Sequence, residues 1–355
     1  MTLLITGICG FVGSQLALHL TQSIPDLTIR GIDNLSRPGS EFNRSVLRRL
    51  GIHLTHGDLR LPSDLESLPP CDYVIDAAAN PSVLAGIDGK SSPRQLCEHN
   101  LAGTLNLLEY CRIHNAGLIL LSTSRVYSIN ALANLPMRIQ NAAFQLDTTK
   151  LTITGVTAEG LTESFSTQSP ISLYGATKLA SEIMALEYGA TYKLPVWINR
   201  CGVLAGPGQF GTAEQGIFSY WLHAHAAKAK LRYIGFEGMG YQVRDALHPQ
   251  DLAALIQIQL NRTPPPDAIF NLGGGLTNSM SLAQLTDWCD HHFAPHAPTP
   301  DPRPRPFDIP WLLMSSARAQ AELNWQPTIT LPKILDQIAQ HVRDNPTWLT
   351  QLGIR

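Results

Sequence analysis

The chain has 355 residues, 44% hydrophobic and 15% charged, with a formal charge of -2. That is long enough for one large domain with a sizeable lobe, or for two domains. No basic excess argues for nucleic acid, no acidic block argues for a disordered tail, and no run approaches the ~20 apolar residues of a membrane span.

The start, Met1-Thr-Leu-Leu-Ile-Thr6, enters a short apolar strand directly, without the basic segment of a secretory signal, so a cytoplasmic protein is expected. Up to about residue 200, short apolar runs alternate with amphipathic segments. Strands are expected at Leu3–Thr6, Thr28–Asp33, His53–His56, Tyr73–Asp76, Leu118–Ser122 and Pro195–Asn199. Helices are expected at Gly13–Gln22, Gln95–His114 and Leu173–Tyr188. Strand-helix alternation with nearly continuous apolar strands indicates an α/β fold, a doubly wound parallel sheet covered on both faces. Ser128 to Pro170 breaks the rhythm and reads as a long excursion after the fifth strand, with short elements. Beyond residue 200 a helix is expected at Gln215–Ala227, a strand at Leu231–Ile234, a helix at Asp251–Leu260 and a strand at Ala268–Asn271. Pro295–Pro310 is crowded with proline and reads as a surface connection. Short helices follow near Ser315–Leu323 and Leu331–Val342. The expected division is a Rossmann nucleotide-binding domain, 1–200 plus about 241–272, and a smaller discontinuous substrate-binding lobe, about 201–240 and 273–355.

Gly7, Gly10 and Gly13 follow the first strand and open the first helix, spaced GxxGxxG. A tight turn, close approach of backbone to a pyrophosphate and close helix–strand packing each favour a residue without Cβ. The helix N-terminus then supplies amide donors for phosphate. Asp33, 20 residues beyond Gly13 at the end of the second strand, is placed to accept from the ribose hydroxyls of NAD and to repel a 2′-phosphate. Arg37 lies close enough to weaken that preference. Asp58, after the third strand, is a candidate acceptor for the adenine amino group.

Tyr174-Gly-Ala-Thr-Lys178 puts a phenol and an ammonium one turn apart on an expected helix. A hydride leaves a secondary alcohol only if the hydroxyl proton leaves as well. Tyrosine titrates near ~10, and lowering that by roughly 3 units takes about 4 kcal/mol of preferential stabilisation of the anion. The charge of Lys178, with that of an oxidised nicotinamide, suits that task. Thr123, at the tip of the fifth strand, is the candidate hydroxyl donor, with Ser122 and Ser124 as alternates.

These motifs resemble the extended short-chain dehydrogenase/reductase family, the NAD-dependent nucleotide-sugar epimerases and dehydratases. Asp33-Asn34-Leu35-Ser36-Arg37, Gly57-Asp58-Leu59-Arg60, Asn100 with Gly103-Thr-Leu-Asn-Leu-Leu108, and Gln242-Val-Arg244-Asp245 with His248 add to the likeness. The nearest likeness is to the branch that inverts C2 of a CDP-linked sugar. The resemblance implies a cofactor site of Gly7, Gly10, Phe11, Val12, Gly13, Asp33, Asn34, Arg37, Asp58, Leu59, Ala77, Ala78, Ala79 and Asn100, with Tyr174 and Lys178. It implies oxidation of a sugar carbinol and return of the hydride to the other face, with Tyr174 as base and then acid. A homodimer through two long helices is common in such relatives. Dehydratases place an acidic pair where Ser124-Arg125 stand, and decarboxylase-like relatives usually have a glutamate at Arg125. Another epimerase of the family, at C4, stays open, and so does a non-catalytic NAD-binding sensor. Where many relatives have a His, this chain has Asp76, which reads as a structural acceptor.

For the nucleotide sugar, Asn80, Ser124, Arg125, Asn199, Gln209, Arg244 and Arg303 are the candidates. Arginine forks suit a diphosphate, although Arg244 has Asp245 beside it and Arg303 sits among prolines. No metal is expected: His291-His292 and His223/His225 lack further ligands at suitable spacing. The six cysteines show no CxxC pairing and read as buried thiols of a reducing compartment.

Overall fold

A computed structural model describes residues 1–353. The chain forms two compact units. The first comprises Met1–Val126, Leu173–Arg200 and Pro249–Phe270; the second comprises Tyr127–Ser172, Cys201–His248 and the chain from Asn271 onward.

The first unit is built on a seven-stranded sheet. Its strands are β1 (Thr2–Thr6), β2 (Thr28–Asp33), β3 (His53–His56), β4 (Tyr73–Asp76), β5 (Gly117–Thr123), β6 (Val196–Cys201) and β7 (Ile269–Leu272), in the order β7-β6-β5-β4-β1-β2-β3. The pairs β1–β2, β2–β3, β1–β4 and β4–β5 are parallel. Strand order reverses at β1, which opens a crevice at the carboxyl ends of β1 and β4, where open α/β sheets bind ligands. Leu107, Leu108 and Cys111 of helix Gly103–His114 pack with Leu118 and Leu120 of β5 and Ile198 of β6 in one core. This is the doubly wound sheet that the alternation of elements indicates.

One expected helix is interrupted. Gln95–His114 resolves into helix Pro93–Cys97, a π-helical turn Glu98–Ala102 and helix Gly103–His114. The amide of Gly103 donates to Glu98 O, five residues back. Such widened turns gather at functional sites, and this one carries Asn100.

The second unit includes residues 127–172, which the sequence-based division puts in the first domain. Its hairpin, Met137–Gln140 with Ala143–Leu146, is tied to later segments: Phe144 N donates to Tyr241 O and Ser281 Oγ to Ala142 O. Val243–Leu247, also placed in the first domain from sequence, is instead the hub of the second unit's sheet. It pairs in parallel with Val203–Leu204 and Trp311–Leu312, and antiparallel with Ser279–Ser281. Helix Leu331–Asp344 buries Leu331, Ile334, Leu335, Ile338, Ala339 and Val342, one apolar stripe of a 3.6-residue period. Pro295–Pro310 is not only a connection. Thr299–Asp301 within it pairs with Arg232–Ile234; a two-stranded ribbon tolerates Pro300 because its edge needs no donor. Five cysteines are buried thiols, but Cys97 is exposed. No helix among the described residues is long and apolar enough to cross a membrane.

Candidate active site

The glycine loop after β1 is a cradle formed by backbone. Gly7 adopts φ +58°, and a Cβ there would sit 2.9 Å from Ala78 Cα; a Cβ on Gly13 would sit 2.4 Å from Gly7 O. Gly10 caps helix Phe11–Ser23 without a side-chain bond, so no side chain competes for that helix's first amides. Thr6, the last residue of β1, was not singled out from sequence, yet it joins the two strand ends. Its hydroxyl donates to Asp76 Oδ1 (2.7 Å) and accepts from the amides of Ala77 and Ala78 (both 3.1 Å). Asp76 is buried and also receives Thr104 Oγ1, so it is a structural acceptor beneath the cradle.

Asp33 stands at the end of β2 beside this loop. Its carboxylate accepts from the amides of Cys9 (2.8 Å) and Leu35 (2.7 Å). Burial pushes the carboxyl up from its usual range, and the amide donors pull against that. Asp58 is committed differently. Arg60 grips it with two bonds, Asn34 Nδ2 donates to it, and the Arg60 hydrogen bonds hold its carboxyl well below the usual range. Leu59 O receives Asn106 Nδ2. In the π-turn, Asn100 accepts from Asn80 N (2.7 Å) and donates to Asn80 O (3.1 Å) and Thr177 Oγ1 (3.2 Å). Asn100 therefore ties the loop after β4, residues Ala77–Asn80, to the helix that carries Tyr174.

That helix is Ser172–Tyr192. Tyr174 packs with Val83, Ala85 and Leu96, and Lys178 one turn on is 2% exposed. Among the described residues, no carboxylate lies within ion-pair distance of Lys178. At the tip of β5, Thr123 Oγ1 accepts from the Arg125 amide (3.2 Å), and nothing among the described residues accepts its own proton. Ser122 is a different case: its hydroxyl is given to Glu182, which holds a buried ion pair with Arg200 at 2.7 Å. That removes Ser122 as an alternate donor. Ser124 lies buried in the turn that follows.

Three of the substrate candidates are closed in bonds to other residues of the chain. Asn199 is fully buried and exchanges two amide bonds with Gln259 (3.0 and 2.8 Å), which corrects its reading as a substrate donor. Gln209 gives Nε2 to Leu204 O, so its donor serves its own loop. Arg303 is doubly bonded to Asp301 (2.8 and 2.6 Å) on a largely exposed side chain. In the second unit, Arg244 pairs with Asp308 at 3.6 Å rather than with the neighbouring Asp245. It also donates to the carbonyls of Val243 and Ile309, and burial lowers its pKa. Arg305 adds to that lowering by like-charge repulsion. Arg305 has no ion-pair partner among the described residues. Sequence reasoning passed over it for Arg303; the sign that separates them is Asp301, two residues before Arg303. The histidines of interest are bonded within the second unit: His223 to His341 (3.1 Å), His225 to Asp290 (2.7 Å), and His291 and His292 to carbonyls of their own helix.

Comparison with known proteins points one way. The model of the NAD dependent epimerase/dehydratase family matches residues 3–273. A CDP-paratose 2-epimerase of Salmonella typhi is 34% identical over 307 residues, 82% of this chain and 85% of that protein. A dTDP-glucose 4,6-dehydratase of Streptomyces antibioticus is 27% identical over 365 residues, covering 100% of this chain and 96% of that one. The structure of a Thermus thermophilus UDP-glucose 4-epimerase complexed with NAD superposes with a TM-score of 0.76 at 25% identity, over 97% of this chain and 99% of that chain.

Proposed function

The chain belongs to the NAD dependent epimerase/dehydratase family, and from that premise we propose that it is an epimerase of a nucleotide-diphosphate sugar, interconverting CDP-paratose and CDP-tyvelose by inversion at C2. The observation that carries the catalytic reading is Lys178: a buried ammonium with no carboxylate partner, one turn from Tyr174. Burying an unpaired charge is costly, and the cost is offset when a phenolate or a ribose hydroxyl shares the ammonium. The 34% identical relative supports the choice of sugar.

The residues present fit NAD. The cradle leaves no room for a Cβ, the helix N-terminus is uncapped by side chains, and Asp33, which accepts from the loop's Cys9 amide, is the acceptor we assign to the ribose hydroxyls. When bound, NAD supplies reversible hydride acceptance. The chain's own residues do the rest. Thr123 donates its free proton to the sugar hydroxyl and orients it. Tyr174 takes the carbinol proton and later gives it back, while Lys178 holds the phenolate. Asn100 fixes the loop through Asn80. Arg125 in place of an acid leaves the strand tip without the acid–base pair that dehydration requires. In the second unit, Arg305 is the cation left for a diphosphate, Arg244 being held by Asp308 and two carbonyls. The enzyme acts as a cytoplasmic homodimer through helices Gly103–His114 and Ser172–Tyr192, whose Ile113, Ile183 and Tyr192 are exposed; sedimentation of an Ile183→Asp variant as a monomer tests this.

The experiment is direct. CDP-, UDP-, GDP- and dTDP-sugars are incubated with the purified protein, and NMR follows inversion at each ring carbon. Inversion at C2 of the CDP-sugar, with NAD released on denaturation and no net cofactor reduction, is expected. Inversion only at C4, or loss of water, would refute the assignment.

A further inference from the structure

Lys178 and Glu182 lie four residues apart on helix Ser172–Tyr192, and they are 2% and 1% exposed. Side chains at that spacing are neighbours on one helix face. A buried lysine and a buried glutamate so placed should pair, because each charge left alone in a low-dielectric interior is expensive. They do not pair. Both oxygens of Glu182 are taken by Arg200: Nε donates to Oε1 and Oε2 at 3.1 Å each, and Nη2 donates to Oε2 at 2.7 Å. The Ser122 hydroxyl also donates to Oε1. Arg200 itself is 4% exposed and lies in β6.

Resting on the assignment of Tyr174 and Lys178, we propose that Arg200 is a positioning residue for the reaction: by neutralising Glu182 it keeps that carboxylate off Lys178, so the ammonium stays available to the Tyr174 phenol. Of the other charged groups at these strand tips, Arg125 after Thr123 is a cation, and the carboxylate of Asp76 is occupied by Thr6 and Thr104. Further along the same helix, Tyr188 donates to Glu109, which is paired with Arg112 at the surface. Glu182 is therefore the carboxylate that competes for Lys178. Because Ser122 precedes Thr123, the same ion pair also fixes the tip of β5 that carries the hydroxyl donor.

The proposal makes opposite predictions for the two halves of the pair. Eight residues at ~1.5 Å each put Glu182 roughly 12 Å along the helix from Tyr174. An uncompensated charge at that distance shifts a titration by about one pH unit at an intermediate dielectric. In Arg200→Gln the bare Glu182 draws Lys178 away and disfavours the phenolate. The acidic limb of the pH–rate profile then moves up by about one unit, and kcat at neutral pH falls about tenfold with KM little changed. Glu182→Gln leaves Arg200 as an extra cation, and the limb moves down. The double variant Arg200→Gln/Glu182→Gln restores the limb to its original position. A merely structural ion pair predicts lost stability in both variants with an unmoved limb, and that result overturns the proposal. If Arg200→Gln does not fold, Glu182→Gln decides alone: a downward shift supports the proposal, and an unmoved limb rejects it. Lys178→Ala separates the two levels. A limb that moves in Lys178→Ala but in neither Arg200→Gln nor Glu182→Gln refutes only the role of Arg200. A limb that stays put in Lys178→Ala refutes the phenol–ammonium reading and this proposal with it.

Discussion

Replacing Asp245 with asparagine should stabilise the protein at neutral pH, and by an amount that depends on pH. Asp245 is 1% exposed, and its Oδ2 accepts from the amides of Gly275 and Met314, both at 3.2 Å. Burial pushes its carboxyl up from 3.8 to about 6, more than those amide donors can pull it back. One pKa unit is about 1.4 kcal/mol, so the charged form opposes folding by roughly 3 kcal/mol. The folded protein holds this proton more tightly than the unfolded chain does. Well below pH 3.8 both states are protonated and the penalty is absent; it grows as pH rises towards 6 and is complete above that. Asparagine mimics the protonated acid in shape and keeps an oxygen for the two amides. Shape matters here, because a Cβ on Gly273 would lie 2.1 Å from Oδ2 and leaves no room for a larger group. Urea unfolding of both proteins at several values between pH 4.5 and 7.5 measures the difference, from which the other titrating groups cancel. Asp245→Asn should be more stable by about 1–3 kcal/mol at pH 7.5, with the advantage smaller by up to about 2 kcal/mol at pH 4.5. A difference that stays constant across that range would show that Asp245 is not held at a raised pKa, and the reasoning would fail.

Tyr174→Phe should lower kcat by roughly 10²–10⁴-fold while the purified protein keeps its NAD, measured by release on denaturation; unchanged turnover removes Tyr174 from the mechanism. Asp33→Ala strips the amides of Cys9 and Leu35 of their acceptor and should weaken NAD binding about tenfold or more in titration calorimetry, with little effect on kcat at saturation. Equal affinity would refute its role. Arg305→Gln should raise KM for the nucleotide sugar about tenfold or more, whereas Arg303→Gln, whose charge Asp301 already neutralises, should change it less than about twofold. The reverse ranking would return the diphosphate to Arg303.

The first unit was readable because its signals are local. The expected strands at Thr28–Asp33, His53–His56 and Tyr73–Asp76 coincide with those observed, since a buried parallel strand announces itself as an apolar run. The glycine loop, Asp33, Thr123 and the Tyr174–Lys178 pair could be proposed for the same reason: each is a short motif at a defined element end. What escaped was long-range pairing. Asn199 looked like a donor until Gln259, 60 residues on, closed its amide. Val243–Leu247 was assigned to the wrong half because its three sheet partners come from segments ending as far away as Leu312. Glu182 and Arg200 carried no motif at all; only their burial together shows that they matter.

The pattern of paired and unpaired charges points to the kind of ligand the protein takes. Asp58 is neutralised by Arg60, Glu182 by Arg200 and Asp301 by Arg303. Lys178 in the first unit and Arg305 in the second lack an ion-pair partner among the described residues. A chain with a formal charge of -2 thus leaves, among the described residues, a cation without an ion-pair partner in each unit. Asp33 is the complementary case: among the described residues it receives only amides, and no cation pairs with it. At the ribose site we propose, the negative field of Asp33 would disfavour a 2′-phosphate. With Asp33 at the ribose, as we propose, its field favours NAD over NADP.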